Sequence, residues 1–189
     1  MQAASAAAEA NVEAGSRLEA ASELDFTQAL RANQSMVFSL ALHFLRDYSA
    51  AEEVAQDVFL RLYQKLNELE SDRHVVFWLR KVTSRRCIDY ARRRGSRLNV
   101  ALEDTAEPAA VEQRGDPLLN RRLRQLIAAL PEKPRMVMVL RYQEDLDPSE
   151  IAELLDMPVS TVKSHLQRSL ALLREKLERR GVGEFGWTP

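Results

Sequence analysis

The chain has 189 residues and a net charge of −1, so its bulk charge alone does not indicate a polyanionic partner. Hydrophobic residues make up 46% and aromatic residues 6%, a composition that favours a mostly helical protein with apolar cores. The sequence contains no apolar run long enough to predict a membrane span. With only one cysteine, an internal disulfide and a multi-cysteine metal site are both excluded. The first residues also lack the pattern of a secretory signal. The single cysteine is consistent with a reducing compartment, so we expect a cytoplasmic protein.

The charges are strongly segregated along the chain. Residues 73–97 contain nine basic residues and one acid, which gives this segment a net charge of +8. Residues 1–25 and residues 99–118 each carry a net charge of −4. A basic block between acidic segments is typical of a protein that binds a polyanion, whereas a solvated, arginine-rich helix face is the simpler alternative.

The first half of the chain predicts three helices. Residues 1–22 are rich in Ala, Glu and Ser without an apolar period, which predicts a disordered tail. Apolar residues then recur at helical spacing over about 24–46, 50–69 and 74–94, with short polar segments between them. These helices form the predicted first domain, residues 23–95.

Residues 96–117 predict a flexible linker, because they contain Gly, Pro and acidic residues without a sustained apolar period. A second helical domain is predicted over 118–180, followed by a short tail over 181–189. The predicted fold class is therefore all-α, with two small helical domains joined by a flexible linker and a helix-turn-helix in the C-terminal domain.

The helix-turn-helix is predicted over residues 147–177. Asp147 can cap its first helix, with Pro148 at the first helical position and Glu150 placed to complete a capping box. Asp156 lies at the corner, where a left-handed residue is often needed and Asp is tolerated. The spacing from Ala152 to the corner and on to Val162 is that of a helix-turn-helix.

The second helix of this motif has a polar face suited to DNA. Short hydroxyls do not obstruct a duplex, cations reach phosphate or guanine, and an amide can read adenine. The predicted DNA-reading set consists of Ser160, Thr161, Lys163, Ser164, Gln167 and Arg168. An ordinary helix pair with a solvated face is the structural alternative.

Three stretches resemble bacterial RNA polymerase sigma factors. The sequence SEIAELLDMPVSTVKSHLQRSLALLREKL is similar to region four, which reads the promoter −35 element. SAAEEVAQDVFLRLYQKL resembles the polymerase-binding part of region two, and FWLRKVTSRRCIDYARRR resembles the part that opens and reads the −10 element. The arrangement of two domains joined directly by a linker resembles the extracytoplasmic-function group, and the likeness covers about residues 25–178.

The resemblance implies two further sets of contact residues. The polymerase-binding set, expected to dock on the coiled coil of the polymerase largest subunit, is Glu53, Gln56, Asp57, Phe59, Leu60 and Tyr63. The set expected to hold the −10 element is Phe77, Arg80, Lys81, Arg85 and Arg86. Whether Phe59 is a core residue or an exposed anchor is open from the sequence, since it lies on the apolar stripe of its helix.

The resemblance also implies a dissociable specificity subunit rather than an enzyme, without a cofactor and without membrane insertion. Its expected partners are core RNA polymerase, including the flap region, promoter DNA and an anti-sigma factor. The family often has Asn where Arg85 stands and Gly where Asp156 and Ser160 stand. From the residues alone, a conventional helix-turn-helix regulator with a helical sensor domain is the main alternative. A scaffold or hydrolase lacks support, since neither a nucleophile–base pair nor metal-ligand spacing is evident.

Overall fold

The computed structural model describes residues 26–95 and 117–178, and these residues form an all-helical fold without strands, as the sequence predicts. Both predicted tails and residues 96–116 of the predicted linker lie outside the described residues. In the first half, α1 covers 26–45, α2 Tyr48–Lys65 and α3 Asp72–Gly95, with a 3-10 turn at Leu66–Glu68. In the second half, α4 covers Pro117–Ala128, α5 Glu132–Tyr142, α6 Pro148–Leu155 and α7 Val159–Glu178.

Helix α2 begins at a side-chain cap. The Asp47 carboxylate accepts a hydrogen bond of 3.0 Å from the backbone N–H of Ala50, which satisfies a donor that has no partner within the helix. The preceding residue, Arg46, has a φ of 59°, so the chain turns sharply between α1 and α2. Helix α2 packs on α3. Its buried residues recur at helical spacing and include Ala51, Val54, Ala55, Val58 and Leu62.

The two halves of the chain share a hydrophobic core. A single cluster of buried residues includes Phe44 of α1 and Leu79 of α3, together with Met136 of α5 and Ile151 of α6. Helices α5 and α6 both pack on α3. The guanidinium of Arg135 lies 4.2 Å from the ring centroid of Phe44, which adds a cation–π contact between α5 and α1. The sequence predicted two tethered domains, but it did not predict this direct contact between them.

Helices α6 and α7 form the predicted helix-turn-helix. The carboxylate of Asp147 accepts hydrogen bonds from the backbone N–H groups of Ser149 and Glu150, and the Glu150 carboxylate accepts one from the N–H of Asp147 at 2.8 Å. The capping box is therefore complete. Asp156 is the left-handed C-cap residue, with φ 51° and ψ 53°. Val162 is fully buried and holds α7 against the rest of the core.

Cys87 lies in the shared core on α3. Burial raises the pKa of its thiol to about 12, although the nearby charge of Arg135 acts in the opposite direction. At neutral pH the group is therefore a buried thiol rather than a reactive thiolate. None of the described helices is both long enough and apolar enough to cross a membrane.

Candidate nucleic-acid and polymerase interfaces

The outward face of α7 is open to solvent. Val162, Ser169 and Leu173 are buried on the inner side of the helix, so the opposite side faces outward. A shallow concavity of about 260 Å³ lies on this side and is lined by Ser160, Thr161, Ser164, His165 and Arg168. Lys163 and Gln167 are exposed on the same helix. All six predicted DNA-reading residues thus belong to one helix, and four of them share one concave surface.

His165 belongs to this concavity, although the sequence pattern did not single it out as a DNA contact. The side chain is partly buried, and burial lowers the pKa of its imidazole, with further contributions from the charges of Arg168 and Lys133. The ring is therefore neutral at pH 7 and has one donor and one acceptor nitrogen. Its position four residues after Thr161 and three before Arg168 is the signal that could have revealed it.

An apolar groove of about 500 Å³ runs between α1 and α2. Helix α1 contributes Phe26, Leu30, Gln34 and Phe38, and helix α2 contributes Glu52, Ala55, Gln56, Phe59, Leu60 and Tyr63. Leu60 and Tyr63 are 60% and 54% exposed and lie together in this groove, and a contiguous exposed apolar surface often marks an interaction site. The rings of Phe26 and Tyr63 pack edge to face with centroids 5.2 Å apart, which fixes one wall of the groove.

The groove separates the predicted polymerase-binding residues into two groups. Gln56, Phe59, Leu60 and Tyr63 line it, and Phe59 also packs against the hydrophobic core, so its side chain is shared between the groove and the core. Glu53 is exposed but does not line the groove.

Asp57 faces α3 instead of the groove. Its carboxylate accepts a hydrogen bond from Arg61 Nε at 3.0 Å and lies 2.6 Å from Arg86 Nε on α3. One predicted polymerase contact and one predicted −10 contact therefore pair with each other, because α2 and α3 pack side by side. The pair is only partly exposed, so it ties the two helices together beside the core.

The other cations predicted to hold the −10 element pair with acids from the second half of the chain. Arg80 Nε donates to Glu144 Oε2 at 3.1 Å, and Lys81 Nζ donates to Asp156 Oδ1 at 2.8 Å. Arg85 pairs with the other oxygen of Asp156. Phe77 is half-buried, and the Lys81 ammonium lies 5.8 Å from its ring centroid. Arg80, Lys81 and Arg85 thus meet acids of the second half and Arg86 meets Asp57 of α2, so all four predicted cations already have acidic partners within the chain.

The two acids differ in environment. Hydrogen bonds from Lys81 and Arg85 lower the pKa of Asp156, which is half-exposed at the corner of the helix-turn-helix. Burial raises the pKa of Glu144 above its usual value, and the charge of Arg80 opposes this shift only in part. The Arg80–Glu144 pair is thus the more buried pair, and the pairs with Asp156 form its solvent-exposed rim.

Two family models match the chain, one in each half. The model for Sigma-70 region 2 matches residues 29–97, which contain the groove and the basic face of α3. The model for Sigma-70, region 4, matches residues 120–173, which contain the helix-turn-helix. Because the first half matches region 2, the alternative of an unrelated sensor domain is not favoured.

Comparison with individual proteins agrees with these matches. The chain is 31% identical over 161 residues to an RNA polymerase sigma-E factor of Streptomyces avermitilis, covering 84% of this chain and 88% of that protein. It is 29% identical over 154 residues to the ECF RNA polymerase sigma factor SigW of Bacillus subtilis, covering 75% and 82%. The fold matches the sigma factor RpoE of Bartonella quintana, solved with the anti-sigma factor NepR, with a TM-score of 0.68 at 20% identity, covering 85% of this chain and 99% of that one.

The fold combines a helix-turn-helix that has an open polar face with a second helical unit that has a basic face and an apolar groove. The relatives match across both units, so the fold and the comparisons indicate the same family. The protein binds core RNA polymerase and directs promoter recognition and DNA melting when transcription starts. The chain belongs to the extracytoplasmic-function group of bacterial RNA polymerase sigma factors.

Proposed function

We propose that this sigma factor divides its task among three surfaces. The groove between α1 and α2 binds the coiled coil of the polymerase largest subunit. The basic face of α3 holds the separated strand of the −10 element, and the outward face of α7 reads the −35 element. In this proposal region two extends over 23–95, the linker over 96–117 and region four over 118–180.

The assignment of α7 carries this proposal, and it rests on the open polar face of that helix. The complete capping box at Asp147 sets the start of α6, and the left-handed Asp156 turns the chain from α6 into α7. The face beyond the corner has hydroxyls and Arg168 around one concavity, and the cation Lys163 and the amide Gln167 are exposed on the same helix. Such side chains suit phosphate and base-edge contacts in a major groove.

The polymerase assignment is supported by the exposed apolar side chains of the groove. Leu60 and Tyr63 expose more than half of their surface and lie beside the half-buried Phe59. Large side chains of this kind act as anchors in protein interfaces when a partner covers them. Gln56 lies in the groove and Glu53 is exposed nearby on α2, so both are placed to form polar contacts around these anchors.

We propose that the free energy for melting DNA at the −10 element comes only from binding of the separated strand. Cations that follow the displaced backbone and an aromatic surface for an unstacked base are the usual means of holding single-stranded DNA. Arg80, Lys81, Arg85 and Arg86 supply the charge, and Phe77 lies beneath Lys81. The protein is accordingly proposed to act as a specificity subunit without an enzymatic activity or a cofactor of its own.

Its proposed location is the cytoplasm, where core polymerase and promoter DNA are present. An anti-sigma factor is a further proposed partner, since the fold neighbour RpoE was solved with the anti-sigma factor NepR, and the fold neighbour CnrH was solved with the cytosolic domain of CnrY. Contact of region four with the polymerase flap is also proposed, on the resemblance alone.

Run-off transcription with purified bacterial core polymerase tests the proposed function. The template carries a promoter selected from a random library by the reconstituted holoenzyme. We expect transcripts with the wild-type protein. The double variant Leu60→Ala, Tyr63→Ala should bind core polymerase at least tenfold more weakly, because both exposed anchors are removed. Lys65→Ala is the matched control, since Lys65 is exposed on α2 outside the groove.

Duplex binding without any transcript from the wild-type protein would contradict the proposal. Equal core binding by the groove variant and its control would contradict the assignment of the groove. These two results are independent, so the experiment separates the function of the protein from the surface that performs it.

A further inference from the structure

The basic face of α3 is already occupied by acids of the same chain. Glu144 follows the end of α5, and Asp156 forms the corner between α6 and α7. These two residues, here named the acidic latch, pair with Arg80, Lys81 and Arg85. The paired residues are 64, 75 and 71 positions apart in sequence, so the contacts depend on the tertiary fold.

We infer that the acidic latch holds the free protein in a closed state in which region four covers most of Arg80 and Lys81 and pairs its acids with all three cations, so that single-stranded DNA binds this face only weakly. Strong DNA binding at α3 then requires that region four move away from this face. The inference rests on the proposed function of α3, and it adds a control of access that lies within the chain itself.

Charge is the first reason that the latch weakens DNA binding. A phosphate that approaches α3 meets the carboxylates of Glu144 and Asp156, and like charges in close contact repel. Arg80, Lys81 and Arg85 each donate a hydrogen bond to one of these acids. DNA must therefore compete with the acids for these cations, and its contacts strengthen when the acids leave.

Packing beneath the ion pairs is the second reason. The buried side chains of Met136 and Ile151 join the same core as Leu79 of α3, and Arg135 lies over the ring of Phe44. This apolar layer holds region four in register with α3, so the acids meet their partners at defined positions. The side chain of Glu144 is only 8% exposed, which places it within the contact rather than on its edge.

Asp156 has two separable roles. Its left-handed conformation turns the chain between α6 and α7, and its carboxylate pairs with Lys81 and Arg85. Glycine adopts the same backbone conformation without a steric penalty. Asp156→Gly therefore removes half of the latch while it preserves the corner of the helix-turn-helix.

Energy transfer within the full-length protein tests the closed state directly. Fluorophores are attached through Gln64→Cys on α2 and Lys176→Cys on α7, both at exposed positions. Glu144→Lys places a positive charge against Arg80. The matched control, Glu153→Lys, makes the same charge change at an exposed position on α6.

We expect energy transfer to fall with Glu144→Lys and, independently, with Asp156→Gly, and to be unchanged with Glu153→Lys. The charge swap Arg80→Glu with Glu144→Lys should restore the transfer, because it rebuilds the pair with reversed signs. The glycine variant keeps the test decisive should Glu144→Lys fail to fold. Unchanged transfer in Asp156→Gly together with unchanged transfer in a folded Glu144→Lys protein would overturn the latch.

Binding of a fluorescein-labelled single-stranded DNA of mixed sequence tests the consequence for α3. If the closed state is favoured by about nine to one, Glu144→Lys should bind about tenfold more tightly than the matched control. Tighter binding without a loss of transfer would overturn the latch. Lost transfer with affinity equal to that of the control would leave the latch in place and overturn the assignment of α3 to DNA, so the two failures are distinguishable.

Discussion

Helices α3 and α7 both carry cations predicted to contact DNA, but these cations differ in exposure and in pairing with acids of the same chain. On α7, Lys163 and Arg168 are exposed and form no ion pair within the described residues. On α3, Arg80 and Lys81 are partly covered and paired with acids of region four. The comparison shows that a cluster of cations in the sequence does not by itself give a surface that DNA can reach.

The difference follows from which side of each helix packs against the core. Helix α7 is held by Val162 and Leu173, which leaves its opposite side free. Helix α3 instead contacts α2 on one side and α5 and α6 on another. Its cations therefore meet Asp57 from α2 and the acidic latch from the second half.

The largest effect, on DNA binding, is expected from substitutions on the outward face of α7. Lys163→Ala combined with Arg168→Ala should weaken binding to a −35 duplex by about 2–4 kcal/mol, since each residue is placed to contact phosphate or a base edge. Fluorescence anisotropy across a salt series measures this, and the slope of log affinity against log salt should fall by about 1 for each lost phosphate contact. Lys176→Ala, exposed near the far end of α7, is the control. Equal affinities of the double variant and the control would show that the open face is not the DNA face.

A smaller effect, on stability, is expected from substitution of Asp47, which pairs with Arg94 of α3 within the first half of the chain. Asp47 caps α2 and also pairs with Arg94 of α3 at 2.5 Å. Asp47→Ala removes both contacts and should lower the free energy of unfolding by about 1–2 kcal/mol. Asp47→Asn keeps a capping oxygen and should cost less, so urea unfolding of the two variants separates the cap from the ion pair. Equal losses in both variants would mean that the cap contributes nothing.

The pH dependence of stability gives an independent check on Asp47. The hydrogen bond from the Ala50 N–H, followed by that from Arg94, lowers the pKa of this carboxyl below its ordinary value of 3.8. The stabilisation is therefore present above that value and is lost as the pH falls through the lower folded-state pKa. Asp47→Asn should unfold with a flatter acid dependence than the wild-type protein.

The smallest effect is expected from His165, in the concavity of α7. Burial and the charges of Arg168 and Lys133 lower the pKa of its imidazole, whereas DNA phosphates favour the charged form. The pKa is thus higher in the complex, so duplex affinity should rise a few-fold as the pH falls from about 7 to about 6. His165→Gln should remove this dependence. The same pH slope in the variant would place the ring outside the DNA interface.

Most of the individual helices and the helix-turn-helix could be predicted from the sequence, because they depend on interactions between nearby residues. The capping box at Asp147 and the left-handed corner at Asp156 depend on neighbours within a few residues, and both were predictable. Helical spacing alone also places the predicted DNA-reading residues on one side of α7, and their contacts with DNA remain a prediction. Family resemblance supplied the polymerase and −10 residues, and their roles remain predictions.

Only the tertiary structure decided which of these residues are accessible. The groove needs Phe26 and Phe38 of α1 beside Tyr63 of α2, and no local pattern joins two helices into one surface. Asp57 meets Arg86, and Glu144 meets Arg80, because helices distant in sequence pack together around a shared core. Caps and helical faces are set by bonds that span about four positions, whereas an ion pair across 64 positions depends on the packing of the whole chain.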